Sequence, residues 1–143
     1  MATPRPVLDA ENINALLRRA FPEADPEAMS RVVEVAPGRV RMVAPFRGAG
    51  MLRPGGVISG PNLMALADNA AYALVLAHLG EALMAVTSQL NMSFLRGAAP
   101  GELHAEAELL RLGRRLAVCD VRLWTESRER LAAQANVTYA LPG

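Results

Sequence analysis

The longest apolar run of the chain, Leu63-Met64-Ala65-Leu66-Ala67-Asp68-Asn69-Ala70-Ala71-Tyr72-Ala73-Leu74-Val75-Leu76-Ala77, is hydrophobic at almost every helical position and predicts a buried core helix. Pro61 supplies its start signal and Gly80, after His78-Leu79, its stop. A shorter amphipathic helix is expected over Ala10 to Arg19, capped by Asp9, with Ile13, Leu16 and Leu17 on one face and Phe21-Pro22 ending it. Two β-favouring runs, Arg31 to Ala36 and Arg39 to Ala44, meet at Pro37-Gly38 and predict a hairpin. The segment Arg47 to Gly56 is too rich in Gly and Pro to predict regular structure.

Beyond Gly80 the pattern alternates. Strands are expected from about Leu83 to Leu95, Glu102 to Leu112, Arg114 to Trp124 and Leu131 to Ala140, separated by turn signals such as Pro100-Gly101 and Leu112-Gly113. A hairpin, one long helix and an antiparallel meander make an α+β architecture, with the sheet curled around the helix. One sheet cannot cover a helix that is apolar all round, so a second copy of the chain is expected to cover the rest. The length fits a single domain, residues 1–143, with a helical extension at about 9–20 and a core at about 30–141.

Composition narrows the function classes. With 52% hydrophobic residues, 20% charged and a net charge of +1, no strong field points to nucleic acid or an anionic membrane. All fifteen basic residues are Arg, which reads as coding bias. The single Cys119 excludes an internal disulfide, and no Cys/His cluster has zinc spacing. The N-terminus lacks the apolar core of a signal peptide, and Asp68, Asn69, Tyr72 and His78 interrupt the long apolar run, so a cytoplasmic, non-membrane protein is expected.

One charge breaks this pattern. Asp68 is the only formally charged residue between Arg53 and Glu81. A carboxylate in apolar surroundings costs several kcal/mol unless it is paired, hydrogen bonded or protonated. A structural reading would pair it with an Arg or put it on a solvated stripe; its apolar flanks favour function.

The stretch Ser59-Gly60-Pro61-Asn62-Leu63-Met64-Ala65-Leu66-Ala67-Asp68, then Ala85 to Arg96, then Leu112-Gly113-Arg114-Arg115, resembles the hotdog-fold thioesterases of the phenylacetate-degradation (PaaI-like) type over roughly residues 30 to 141. The resemblance implies a homodimer or dimer of dimers that hydrolyses acyl-CoA thioesters without metal or cofactor, CoA being part of the substrate. It places Asp68 at the family's carboxylate and Thr87 at the hydroxyl residue that positions water or that carboxylate. Arg53 stands where relatives have an amide side chain, and Arg114 and Arg115 where basic residues lie near CoA phosphates. The family motif His-Gly-Gly reads Ser59-Gly60-Pro61 here; Pro61 removes one backbone donor, while the Gly60 amide survives.

Thioester hydrolysis needs an oxyanion site and a carboxylate acting on water or on the carbonyl carbon. The N-terminus of the long helix offers the first at Gly60 and Asp68 the second, as general base or as nucleophile. Eight helical residues separate them, about 12 Å of rise, so one carbonyl cannot touch both within one chain. A shared site therefore requires two chains, with Gly60 from one and Asp68 from the other. Ser59, at the N-cap position, and Asn62, in the first turn, are substrate-binding candidates beside Gly60; Asn69 is another, with helix packing or dimer contact as its ordinary use. Trp124 and Tyr139 read as packing residues and Cys119 as a small buried side chain. No Gly-x-Ser-x-Gly motif supports an α/β-hydrolase. The rival readings are a non-catalytic hotdog protein that binds an acyl-CoA or other acyl ligand and, further off, a hotdog dehydratase.

Overall fold

The structure is a computed structural model and describes residues 3–143. Helix α1 (Ala10–Ala20) is followed by the hairpin β1 (Arg31–Ala36) and β2 (Arg39–Ala44). A short ribbon of β3 (Leu52–Arg53) and β4 (Val57–Ile58) leads into α2 (Gly60–Leu79), and β5 (Val86–Phe94), β6 (Leu103–Leu112), β7 (Leu116–Trp124) and β8 (Ala133–Ala140) complete the chain. The segment expected to be irregular thus holds a single 3-10 turn at Ala49–Met51 and a two-residue ladder, Leu52 with Ile58 and Arg53 with Val57, because Gly55 (φ +101°) and Gly56 (φ +73°) close a tight turn between them.

Six strands form one antiparallel sheet in the order β1-β2-β6-β7-β8-β5. Its concave face wraps α2, which contacts every strand of the sheet. The contact is made largely by small residues. Ala67, Ala70, Ala71, Ala73 and Ala77 of the helix are fully buried, as are Ala105, Ala107, Ala117, Ala133 and Ala135 of the sheet. Alanine opposite alanine lets the helix axis sit close to the strands, while Leu66, Leu74, Val75 and Leu76 fill the remaining volume, each contributing about 1.5–3 kcal/mol of burial. Along one side of α2 the packing is incomplete: Pro61, Met64, Ala65 and Asn69 are exposed.

Two polar devices fix the ends of this arrangement. His78, buried at the C-terminal end of α2, accepts the Gly38 amide at Nε2 (2.9 Å), which leaves Nδ1 to donate to the Leu74 carbonyl (2.9 Å). One imidazole tautomer therefore ties the β1–β2 turn to the helix, at a glycine whose φ of +70° suits that turn. In α1, capped by Asp9 (Asn12 amide to Oδ1, 2.8 Å), the Asn14 side chain accepts the Val32 amide (2.8 Å) and donates to the Val32 carbonyl (2.9 Å). Asn14 thereby occupies part of the free edge of β1. Among the described residues no helix is long and apolar enough to cross a membrane.

Candidate active site

Helix α2 begins at Gly60, with Ser59 at the N-cap position in extended conformation. The Ser59 amide donates to the Met51 carbonyl (2.9 Å), so β3 and the turn before it anchor the helix entrance. Serine at this position would ordinarily cap the helix with its hydroxyl. Here the hydroxyl makes no such bond; it accepts the Asn62 side-chain amide instead (2.7 Å), and Asn62 also reaches the Met51 carbonyl (3.4 Å). The Asn62 and Leu63 amides turn back to the Ser59 carbonyl (3.1 and 3.4 Å) and Pro61 has none, so the Gly60 amide is the donor that the first turn leaves for an outside acceptor.

Glycine suits this position because of the proline that follows. A helical residue before Pro61 is hindered through its Cβ, which glycine lacks. The Phe94 ring lies beside Gly60, where a Cβ would make ordinary contact at 3.5 Å. Phe94 ends β5, and its half-exposed ring forms one wall of a groove of about 610 Å³ shared with Arg53, Gly60, Pro61, Leu95 and Arg96.

Asp68 lies two turns along α2 and is half buried. Its Oδ1 accepts the Thr87 hydroxyl (2.7 Å) and the Tyr139 phenol (2.6 Å); the phenol also lies 3.2 Å from the Asp68 carbonyl. Among the described residues no donor reaches Oδ2. The two hydroxyls come from neighbouring strands, since Thr87 of β5 and Tyr139 of β8 are directly paired on the concave face. Tyr139 is itself buried and stacks on Tyr72 (5.7 Å between centroids, 24°), whose hydroxyl donates to the Leu83 carbonyl (2.9 Å). Burial first, and then the hydrogen bond to the carboxylate, push the Tyr139 phenol pKa well above its ordinary value, so it stays a proton donor.

The structure thus joins Asp68 to Thr87, and Ser59 to Asn62, while keeping the two pairs apart. Gly60 packs at the Phe94 end of β5 and Asp68 at the Thr87 end, about 12 Å further along the helix at 1.5 Å per residue. Arg53 is exposed in the Gly60 groove, its Nε 3.4 Å from the neighbouring Pro54 carbonyl. Asn69 is exposed and lines, with Asn62, a second cavity beside α2. Arg114 and Arg115 are exposed in the β6–β7 turn, which the pairing of Leu116 with Ala140, and of Ala140 with Val86, puts at the Asp68 end.

Tyr139, expected from the sequence to pack, also holds the Asp68 carboxylate. Alternation in β8 places it on the concave face, yet only the β5–β8 register brings its hydroxyl to a helix residue 71 positions away. Trp124 does pack, stacked on His104 (5.6 Å, 7°), and Cys119 is buried, its thiol pushed up to about 12 by desolvation. Among the described residues no group of three His, Cys, Asp or Glu side chains is placed to hold a metal ion.

Comparison with known proteins bears on the family and the fold. The family model for the thioesterase superfamily matches residues 55–132. No curated protein matches the chain significantly. Among solved structures, a Silicibacter sp. protein assigned as a thioesterase is 37% identical, over 99% of this chain and 96% of that one, with a TM-score of 0.85. A phenylacetic acid degradation-related protein from Ralstonia eutropha, also assigned as a thioesterase, is 27% identical over 87% and 98% (TM-score 0.74). A variant of the phenylacetic acid degradation protein PaaI from Thermus thermophilus is 30% identical over 79% and 93% (TM-score 0.66). An antiparallel sheet closed around one long helix, with that match, establishes that the chain belongs to the thioesterase superfamily, as a hotdog-fold thioester hydrolase of the PaaI-like type.

Proposed function

We propose that the protein hydrolyses acyl-CoA thioesters at two equivalent sites, each shared between two copies of the chain. The observation that carries this reading is the Asp68 carboxylate: one oxygen is fixed by two hydroxyls while the other is free, on a helix whose own oxyanion-binding end is too far away. A carboxylate held in that way is oriented for one task, and its unoccupied Oδ2 is the oxygen that performs it.

A second copy brings the halves together if the open edge of β5 pairs with itself. Antiparallel pairing about a twofold axis at Asn91 sets Leu90 opposite Met92 of the second copy and brings Thr87, across the bulge that follows it, to the Phe94 end of that copy, and so Asp68 towards that copy's Gly60. The same pairing covers Val86 and Leu95, apolar side chains that are 60% and 55% exposed in the single chain. It also carries Arg114 and Arg115 towards the groove that holds Arg53 and Arg96 of the other copy, where CoA phosphates would meet arginines from both.

In this site the thioester carbonyl oxygen accepts the Gly60 amide, aided by the positive end of the α2 dipole. Asp68 Oδ2 takes a proton from a water as the water oxygen bonds to the carbonyl carbon. The tetrahedral oxyanion then collapses, the C–S bond breaks, and the CoA thiolate recovers the proton from Asp68. Thr87 and Tyr139 hold the carboxylate throughout; Ser59, kept in place by Asn62, lies beside the carbonyl. The scheme calls on no metal or cofactor.

Release of free CoA from a panel of acyl-CoAs is the test. Asp68→Asn is expected to lower kcat by about 100-fold or more, the range of general-base loss. Equal turnover by both proteins would sink the role of Asp68, and tight acyl-CoA binding without release would favour the non-catalytic reading. Single turnover in heavy-oxygen water separates base from nucleophile: label entering Asp68 would replace the water mechanism by an anhydride.

A further inference from the structure

A cavity of about 290 Å³ runs along α2 beneath the segment that joins α1 to β1. Its helix wall extends from Asn62 through Ala65 and Asn69 to Tyr72, a run of about 15 Å at 1.5 Å per residue. Met42 and Leu103 form the floor on the sheet side, and Phe21, Ala28 and Met29 form the roof. The Met51–Asn62 end of the cavity adjoins the proposed oxyanion site. Met51, another wall residue, accepts the Ser59 amide through its carbonyl, and Asn62 holds the Ser59 hydroxyl, one residue before Gly60.

We infer that this cavity takes the acyl group and selects an unbranched aliphatic chain of medium length over short, long or aromatic acyl groups. The inference rests on the acyl-CoA hydrolase reading above and names its substrate class. Three features of the cavity carry it. Its length exceeds what one aromatic ring fills. Met29, Met42 and Met51 are unbranched side chains that adapt to a flexible alkyl chain. The far end is a rigid stop: the Tyr72 ring is stacked on Tyr139, meets Phe21 edge-on (6.3 Å, 75°) and is tethered through its hydroxyl to the Leu83 carbonyl. Arg47 is the one charged side chain lining the cavity among the described residues and is exposed, so the interior offers no partner for a charged acyl terminus.

The experiment compares butyryl-, octanoyl-, palmitoyl- and phenylacetyl-CoA with the wild type, Ala65→Phe and Ala28→Phe. Each buried methylene is worth about fourfold in affinity, so kcat/KM for octanoyl-CoA is expected to exceed that for the other three by about tenfold or more. Filling the cavity from the exposed helix position Ala65 should lower the octanoyl-to-butyryl ratio by about tenfold. Ala28→Phe fills it from the roof and should do the same, so misfolding of one variant does not decide the outcome. A flat profile, a phenylacetyl preference, or a ratio unmoved by both variants overturns the inference while leaving acyl-CoA hydrolysis intact. If no thioester is cleaved, the hydrolase reading fails on its own; calorimetric binding of octanoate, lost in Ala65→Phe, would still support the cavity as an acyl site, and absence of binding would overturn that too.

Discussion

The two edges of the sheet are finished in opposite ways. At β1 the Asn14 amide side chain exchanges two hydrogen bonds with Val32, so that α1 satisfies edge groups which would otherwise invite another strand. At β5 nothing comparable intervenes among the described residues: residues 86–94 are mostly exposed, with Val86 and Phe94 presenting apolar surface at its two ends. A long open edge with apolar ends is a liability in a monomer and an asset in a dimer. The reactive groups follow the same division, for both Gly60 and Asp68 stand against β5 and neither against β1. The open edge is therefore where the proposed site must be completed.

Gln89→Lys/Asn91→Lys puts lysines on the outer face of β5, close to the proposed twofold, where like charges would oppose each other. The double variant is expected to sediment as a monomer and to lose about 100-fold or more in activity with the Asp68 pocket untouched. A fully active monomer would refute the shared site. Next in size is Tyr139→Phe, which removes one of the two hydroxyls on Oδ1. About a tenfold fall in kcat with KM little changed is expected, because the carboxylate is then less firmly aimed. A rise in KM alone would mean that Tyr139 serves binding.

At the closed edge the expectation reverses. Asn14→Ala leaves the Val32 amide and carbonyl unpaired in a part-buried position, at a cost of about 1–3 kcal/mol. Tm should fall by several degrees, measured by calorimetry, while specific activity and dimer mass are retained. The smallest effect concerns Cys119. Desolvation raises its thiol pKa from 9.0 to about 12, so the buried thiol contributes stability that is fully present below about pH 9 and lost as pH rises through about 12. At pH 8 the folded protein should show no reaction with a thiol reagent, and labelling should appear only with denaturant. CoA release can then be followed with such a reagent without interference from the protein.

Much of the architecture was legible because it rests on local signals. The apolar run with Pro61 and Gly80 at its ends became α2, Pro37-Gly38 became the turn between β1 and β2, and the alternation after Gly80 became the meander β5 to β8. Asp68 stood out as a charge without a local reason, and the fold gives it a hydrogen bond from Thr87. The Tyr139 hydroxyl gave no such sign, since a tyrosine at an inward position of a strand looks like any packing aromatic. Ser59 was misleading in the other direction: its N-cap position is real, but Asn62 takes its hydroxyl away from the helix amides. The ribbon at Leu52 to Ile58 was also hidden, because a two-residue ladder is too short to leave a periodic trace.

From the sequence alone came the elements, their order, the odd carboxylate and the argument that helical rise separates it from Gly60. These depend on covalent geometry and on the spacing of apolar side chains, which a chain carries with it. Which strand forms the open edge, which hydroxyls hold Asp68 Oδ1, and which oxygen is left free were decided only by tertiary structure. They depend on strand register and on contacts between residues far apart in the chain, where a shift of one residue would turn Tyr139 to the other face of the sheet.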